Sequence, residues 1–129
     1  MTEIQRWLDR YTWDGEVTNG EQVRLNRGVN VSYTRAQEIW EAAEGRELSL
    51  QEAIDVCRLC YTLAPFSRRD NHVFIKIARS ILQPIVKSMS PALGGAVHGV
   101  VADYVSGVGT VQDLEQILRL IRFRYLSEA

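Results

Sequence analysis

The sequence contains few of the residues that build disulfide scaffolds, fibres or metal centres. Its 129 residues include 2 cysteines, 2 histidines and 3 prolines. A chain of this length buries enough surface to fold without disulfide bridges, so the cysteines do not indicate a secreted disulfide scaffold. The hydrophobic share of 46% and the charged share of 24% are ordinary for globular proteins, and no repeat is visible. We therefore expect one domain that spans residues 1–129.

Long hydrophobic runs are also missing. The N-terminus is charged from Glu3 onward and lacks the apolar run of a secretory signal. The longest weakly polar stretch, residues 91–109, contains His98, Asp103 and five glycines, which argues against a membrane span. These features predict a cytoplasmic protein that does not contact a membrane.

The sequence shows no pattern typical of catalysis or of cofactor binding. It has no glycine-rich phosphate loop, no nucleophile elbow and no paired metal-binding histidines. Acid–base chemistry would have to rest mainly on carboxylates, and no convincing pair stands out. We expect no cofactor, no metal and no catalytic residues, and this favours a non-catalytic protein.

Apolar residues recur at helical intervals through most of the chain. The pattern predicts a mainly α, compact multi-helix fold with about six helical segments. These are a short N-terminal helix that begins at Thr2, then helices over 34–44, 50–64, 70–89, 91–106 and from 111 onward. Pro84 lies inside the fourth, where its missing N–H predicts a kink near Ser80 or a break into two helices.

Residues 12–33 have a different character from the helical segments. Asn19-Gly20 and Arg27-Gly28 are typical of turns. Apolar and polar residues alternate on both sides of Arg27-Gly28, with Val29, Val31 and Tyr33 on the second side. The segment is either a small N-terminal β-hairpin or an ordered loop.

Charge is distributed unevenly along the chain. Residues 1–56 contain 11 acidic and 6 basic side chains, whereas residues 57–129 contain 5 acidic and 9 basic ones. One interpretation is that the two halves pack together and neutralise each other. The other is that a basic surface binds an anionic partner.

The most specific polar feature is a basic stripe, which we define as Arg68, Arg69, Lys76, Arg79 and Lys87. The last three recur with His72 and Gln83 at intervals of three and four, opposite an apolar row, so we expect them to be exposed on one helix face. An anionic protein, a nucleic acid or a phosphorylated ligand would suit this stripe. The alternative is a solvated face beside an acidic neighbour.

Direct evidence for nucleic-acid recognition is weak. No aromatic residues alternate with the bases of the basic stripe, as single-strand binders require. Residues 34–64 resemble a helix–turn–helix in outline, but Glu52 and Asp55 near the start of the second helix would repel phosphates. Nucleic acid is therefore a possible but not a favoured partner.

Gly95 and Gly99 lie inside the predicted 91–106 helix, where each costs about 0.8–1 kcal/mol relative to alanine. Close packing against another helix backbone would justify this cost. The neighbour is either a helix of the same chain, which we favour, or a second subunit. His98 lies at the border of the two helix faces, and we expect a structural role for it.

Cys57 and Cys60 form a CxxC pair in the middle of a predicted helix. Both fall on its apolar face, which favours a buried core position. Two alternatives are a zinc site completed by His72 and His98, and a redox dithiol, although a pair away from the helix N-terminus gains little from the helix dipole.

Taken together, the sequence favours a non-catalytic protein-interaction or regulatory domain that binds an unknown protein partner or itself. The first alternative is an anion or nucleic-acid binder that uses the basic stripe. The second is a small metal or thiol protein built around Cys57 and Cys60.

Overall fold

The structure, a computed structural model, describes residues 4–13, 17, 30–66 and 70–123. In these ranges the fold is mainly α, as the sequence predicts. Its helices, numbered along the chain, are α1 (Asn30–Ala43), α2 (Leu50–Leu63), α3 (Val73–Val86), α4 (Pro91–Val105) and α5 (Val111–Ile121). Helix α2 lies at the centre and packs against α1, α3 and α4, while α5 packs against α4.

A small antiparallel β element joins two distant parts of the described chain. Strand β1 (Ile4–Gln5) pairs with β2 (Leu48–Ser49), with Ile4 opposite Ser49. This pairing ties the N-terminal segment to the start of α2, because β2 leads directly into that helix.

Three helices begin at the capping residues that the sequence indicates. At α2, Glu52 N–H donates to Ser49 Oγ at 3.1 Å, and Ser49 N–H donates to the Glu52 carboxylate at 2.8 Å. This capping box satisfies two backbone donors that the first helical turn leaves unpaired. Ser90 and Thr110 each accept a backbone N–H from three residues on and begin α4 and α5 in the same way.

The predicted N-terminal helix is wrong, because residues 4–5 are paired as a strand and residues 7–10 form a turn. The expected hairpin turn at Arg27-Gly28 lies outside the described residues. On its second side, Val31 and Tyr33 belong to α1 rather than to a strand, so α1 begins four residues earlier than predicted.

Helix α3 passes Pro84 without a break and ends two residues later, at Val86. Of the two predicted alternatives, the division into two helices is therefore wrong, whereas the kink near Ser80 stays a prediction. Near the end of a helix, a proline removes only one hydrogen bond, to the carbonyl four residues before it, and has little helix left to disrupt. None of the described helices is both long and apolar enough to cross a membrane.

An aromatic cluster fills the core where the N-terminal segment meets α1 and α3. Phe66 and Phe74 stack with ring centroids 5.9 Å apart, and Trp13 packs against Phe66 at 5.6 Å. Trp13 Nε1 donates to Tyr33 Oη at 2.9 Å, so its polar atom is satisfied although the ring is buried. Large aromatics from the first third of the chain thus serve the core.

Candidate functional site

The described part of the basic stripe lies on the outer side of α3. Lys76, Arg79 and Lys87 are all exposed, as the helical spacing predicts, while Phe74 and Ile77 on the opposite side are buried. Arg68 and Arg69, the other two members of the stripe, lie outside the described residues. The stripe is therefore seen as a row of three cations along one helix.

No described acidic residue forms an ion pair with Lys76, Arg79 or Lys87. The ion pairs found in this part of the chain join Arg6 to Asp9 and Arg35 to Glu38, each within one helical turn or loop. Neutralisation of the stripe by the acidic N-terminal half thus receives no support from the described residues.

His98 of α4 lies beside this row. Its Nε2 is 3.3 Å from Oε1 of Gln83, the exposed residue one turn after Arg79 on α3. The pKa of His98 is lowered, first because partial burial disfavours the charged imidazole and second because Arg79 adds a positive charge nearby. Within the described residues, its Nδ1 is buried and has no hydrogen-bond partner. These surroundings favour the neutral imidazole over the charged one, with Nε2 toward Gln83.

The outer side of α4 carries almost no side-chain bulk. Gly95 and Gly99 are exposed, and a Cβ added at either position would meet no atom of the described residues within 4 Å. Among the described helices, none packs against these two glycines, in contrast to the expectation of a close neighbour within the chain. The close contact is made one residue away, because a Cβ on Gly94 would lie 2.7 Å from Cγ1 of Val86.

Two contacts fix the relation between α3 and α4. Gln83 meets His98, while Val86, further along α3, meets Gly94, which comes earlier on α4. The two helices are therefore antiparallel. We define the α3–α4 face as the surface that they share: Lys76, Arg79, Gln83, Lys87, Ala92, Gly95, Ala96, His98, Gly99 and Asp103. His98 is half-buried and the other members are exposed. The face combines three cations from α3 with small residues and one acid, Asp103, from α4.

The CxxC pair belongs to the core, as the apolar spacing predicts. Cys57 and Cys60 are fully buried. Burial raises the pKa of Cys57 well above its usual range and that of Cys60 to about 12, and Cys60 Sγ contacts the carbonyl oxygen of Ala36 at 3.7 Å. Both thiols are thus held protonated, whereas metal ligation and disulfide exchange require thiolates. His72 is exposed and packs edge-on against Tyr61.

The structure also brings together groups that the sequence does not connect. Tyr104 Oη of α4 donates to Asp55 of α2 at 2.5 Å, and the Arg58 guanidinium lies over the Tyr104 ring at 4.6 Å. Tyr104 is buried, and desolvation together with the bond to Asp55 raises its pKa. These groups connect two helices, and because the partners are 49 residues apart no local pattern could have indicated the contact.

A small cleft of about 260 Å³ lies between the start of α2 and the later turns of α5. Its polar lining includes Ser49 and Gln51 on one side and Glu115, Arg119 and Arg122 on the other. Ser49 is already engaged in the capping box, and Glu115 offsets one of the two arginines. The cleft therefore carries less net positive charge than the α3–α4 face.

Comparison with known proteins gives no further assignment, because no family profile, curated protein or solved structure matches this chain.

Proposed function

We propose that this chain is a non-catalytic protein-interaction domain that binds an acidic helical segment of a partner protein on the α3–α4 face. The observation that carries this proposal is the combination of a bare helix surface at Gly95 and Gly99 with an adjacent row of cations. Neither feature contributes to the packing of the described part of the chain.

The shape of the face suits a helix. Small residues on the outer side of α4 let another backbone approach closely, as they do at tight helix–helix contacts. Helix-interior glycines that touch nothing cost stability in the isolated chain, about 1 kcal/mol each relative to alanine. A partner helix docked over Gly95 and Gly99 would fill the space beside them, which would explain why glycines occupy these positions.

The charge of the face selects the partner. Lys76, Arg79 and Lys87 form no ion pairs with described residues, so their charges remain available to a partner. Such a row steers an acidic segment toward the face and disfavours a basic one. The two buried thiols suit a reducing compartment, and we place the interaction in the cytoplasm.

Binding can be measured with a defined probe, a helical peptide with glutamates along one face and alanines along the other. Replacing Lys76, Arg79 and Lys87 together with glutamate should abolish its binding. The matched control replaces Arg35, Arg46 and Arg119 with glutamate, which changes the net charge equally on exposed positions elsewhere. If both variants lost peptide binding equally, binding would depend only on the net charge of the protein, and the proposal would be contradicted.

A second variant tests the shape. Gly99→Leu should not lower the melting temperature and should raise it slightly, because leucine favours the helix and the added side chain meets no atom of the described chain. It should nevertheless block the peptide. Ala42→Leu, on the exposed side of α1, is the matched control and should bind normally. Normal peptide binding by Gly99→Leu would contradict the proposal.

Two other occupants give different results. If the face joins two copies of this chain, sedimentation should detect a dimer that Gly99→Leu dissociates, and the peptide would not bind the dimer. If it binds nucleic acid, duplex RNA should bind more tightly than the peptide, with an affinity that falls steeply as salt is raised. Either result would contradict the proposal that the face binds an acidic protein segment.

A further inference from the structure

Polar side chains from two helices lie close together at the centre of the α3–α4 face. Arg79 and Gln83 are one turn apart on α3, and His98 of α4 approaches Gln83 to 3.3 Å. In this contact Gln83 Oε1 can only accept, so Nε2 of the imidazole carries the proton and donates. The neighbouring turn of α4 carries Gly95, whose open surroundings leave the cluster accessible from outside.

We propose that Arg79, Gln83 and His98 form a subsite for one phosphoryl group, carried on a phosphorylated serine or threonine of the partner segment. This inference rests on the proposed function, since it specifies what the α3–α4 face recognises. The phosphoryl group takes the place of Gln83 Oε1 as the acceptor for His98 Nε2–H. Gln83 is exposed, so its side chain is free to turn and present its amide N–H groups.

The donors match the chemistry of a phosphate monoester. Such a group carries a charge of about −1.5 to −2 at neutral pH and three strong acceptor oxygens. The arginine supplies a planar fork of N–H donors, and the imidazole and the amide supply one or two more. Lys76 lies one helical turn before Arg79, and Lys87 lies one turn after Gln83. Both add to the positive charge around the phosphoryl group without occupying its site. A glutamate carboxylate has a single negative charge and two acceptor oxygens, so it would use fewer of these donors than a phosphoryl group.

The bound group should also act on His98. Its negative charge offsets that of Arg79, the charged neighbour that lowers the pKa of His98, and so favours the imidazolium. Two other helices pack against α4. In α2, Asp55 and Arg58 contact Tyr104 instead, and α5 carries Asp113, Glu115 and Arg119 at exposed positions. None of these charges is a cause of the lowered pKa of His98. The NMR titration of His98 should therefore shift to higher pH when the phosphopeptide binds.

The test compares three forms of one helical peptide, with serine, glutamate or phosphoserine at its central position. We expect the phosphoserine form to bind about tenfold more tightly than the glutamate form, as an additional charge-assisted contact provides. Gln83→Glu places a carboxylate among the donors and should remove this preference. Gln112→Glu, on the exposed side of α5, is the matched control and should retain it.

The outcomes separate this inference from the proposed function. If the glutamate form binds and the phosphoserine form binds no more tightly, the subsite is contradicted while the docking face stands. If neither form binds, the proposed function itself fails. An unchanged His98 titration on phosphopeptide binding, or tighter binding of duplex RNA than of the phosphopeptide, would also overturn the subsite.

Discussion

The side chain of Asn71 hydrogen-bonds both backbone polar groups of Phe66. Phe66 N–H donates to Asn71 Oδ1 and Asn71 Nδ2 donates to Phe66 O, each at 3.0 Å. Both residues are buried, Asn71 with 5% and Phe66 with 0% of its surface exposed. The amide thus satisfies both backbone polar groups of a residue that lies three positions after the end of α2. It also holds the Phe66 ring against Trp13 and Phe74.

Removing this amide should strongly destabilise the protein. We expect Asn71→Ala to lower the free energy of unfolding by about 2–4 kcal/mol, because it leaves a buried N–H and a buried carbonyl unpaired. Asn71→Asp should cost a similar amount, since it keeps an acceptor for Phe66 N–H but sets an oxygen against Phe66 O. Urea titration measures both. Lys76→Ala is the exposed control, expected within about 0.5 kcal/mol of the parent, and an equally small effect at Asn71 would contradict the pairing.

Neighbouring glycines of α4 should respond in opposite ways to alanine. Gly94→Ala places a Cβ 2.7 Å from Cγ1 of the nearly buried Val86. We expect a loss of about 1–3 kcal/mol, as for overpacked core sites. Gly95→Ala meets no atom within 4 Å, so it should instead stabilise the helix by about 0.5–1 kcal/mol.

Thermal unfolding of the two variants provides the comparison. A double variant, Gly94→Ala with Val86→Ala, should recover part of the contact penalty relative to the sum of the single variants. Equal effects of Gly94→Ala and Gly95→Ala would show that α4 is rotated about its axis from the position described.

These glycines show what the sequence could and could not predict. Helix starts were correct at Ser49, Ser90 and Thr110, because a capping side chain bonds a backbone group only three residues away. The sequence does not show which side of α4 faces the core, because its residues are apolar or small on nearly every side. Periodicity therefore cannot distinguish the buried Gly94 from the exposed Gly95, and the contact of Gly94 with Val86 shows which of them faces inward.

The N-terminal segment shows the same limit. Ile4, Leu8 and Tyr11 share one face of an ideal helix, yet Ile4–Gln5 pairs with Leu48–Ser49 as a strand. The burial of Leu8 and Tyr11 fits either structure, so the hydrophobic pattern alone could not decide. Of the candidate site, the sequence predicted the exposed cations of α3, but the contact of Gln83 with His98 depends on how two helices pack.

Cys57 and Cys60 should be unreactive in the folded protein. Burial keeps both thiols protonated, and neither sulfur is accessible to a reagent. We expect modification by a thiol reagent at pH 8 to be slow and to accelerate sharply in denaturant. Ser88→Cys, at an exposed position, provides a fast-reacting control within the same protein. Rapid native-state labelling of Cys57 or Cys60 would contradict their core position.

His98 should make the protein less stable in mild acid. Its pKa in the folded chain is below the ordinary value of 6.5, so the unfolded chain binds a proton more readily at this site. As the pH falls through 6.5 toward the folded-state pKa, the unfolded state therefore gains protons first and the free energy of unfolding decreases.

In His98→Gln this contribution is absent. The stability of this variant should therefore fall less than that of the parent as the pH is lowered from 7.5 to below 6.5. Arg79→Gln removes the positive neighbour but not the burial, so it should give an intermediate slope. Urea titrations at several pH values measure all three slopes, and identical slopes for the parent and His98→Gln would show that His98 does not titrate differently in the folded chain.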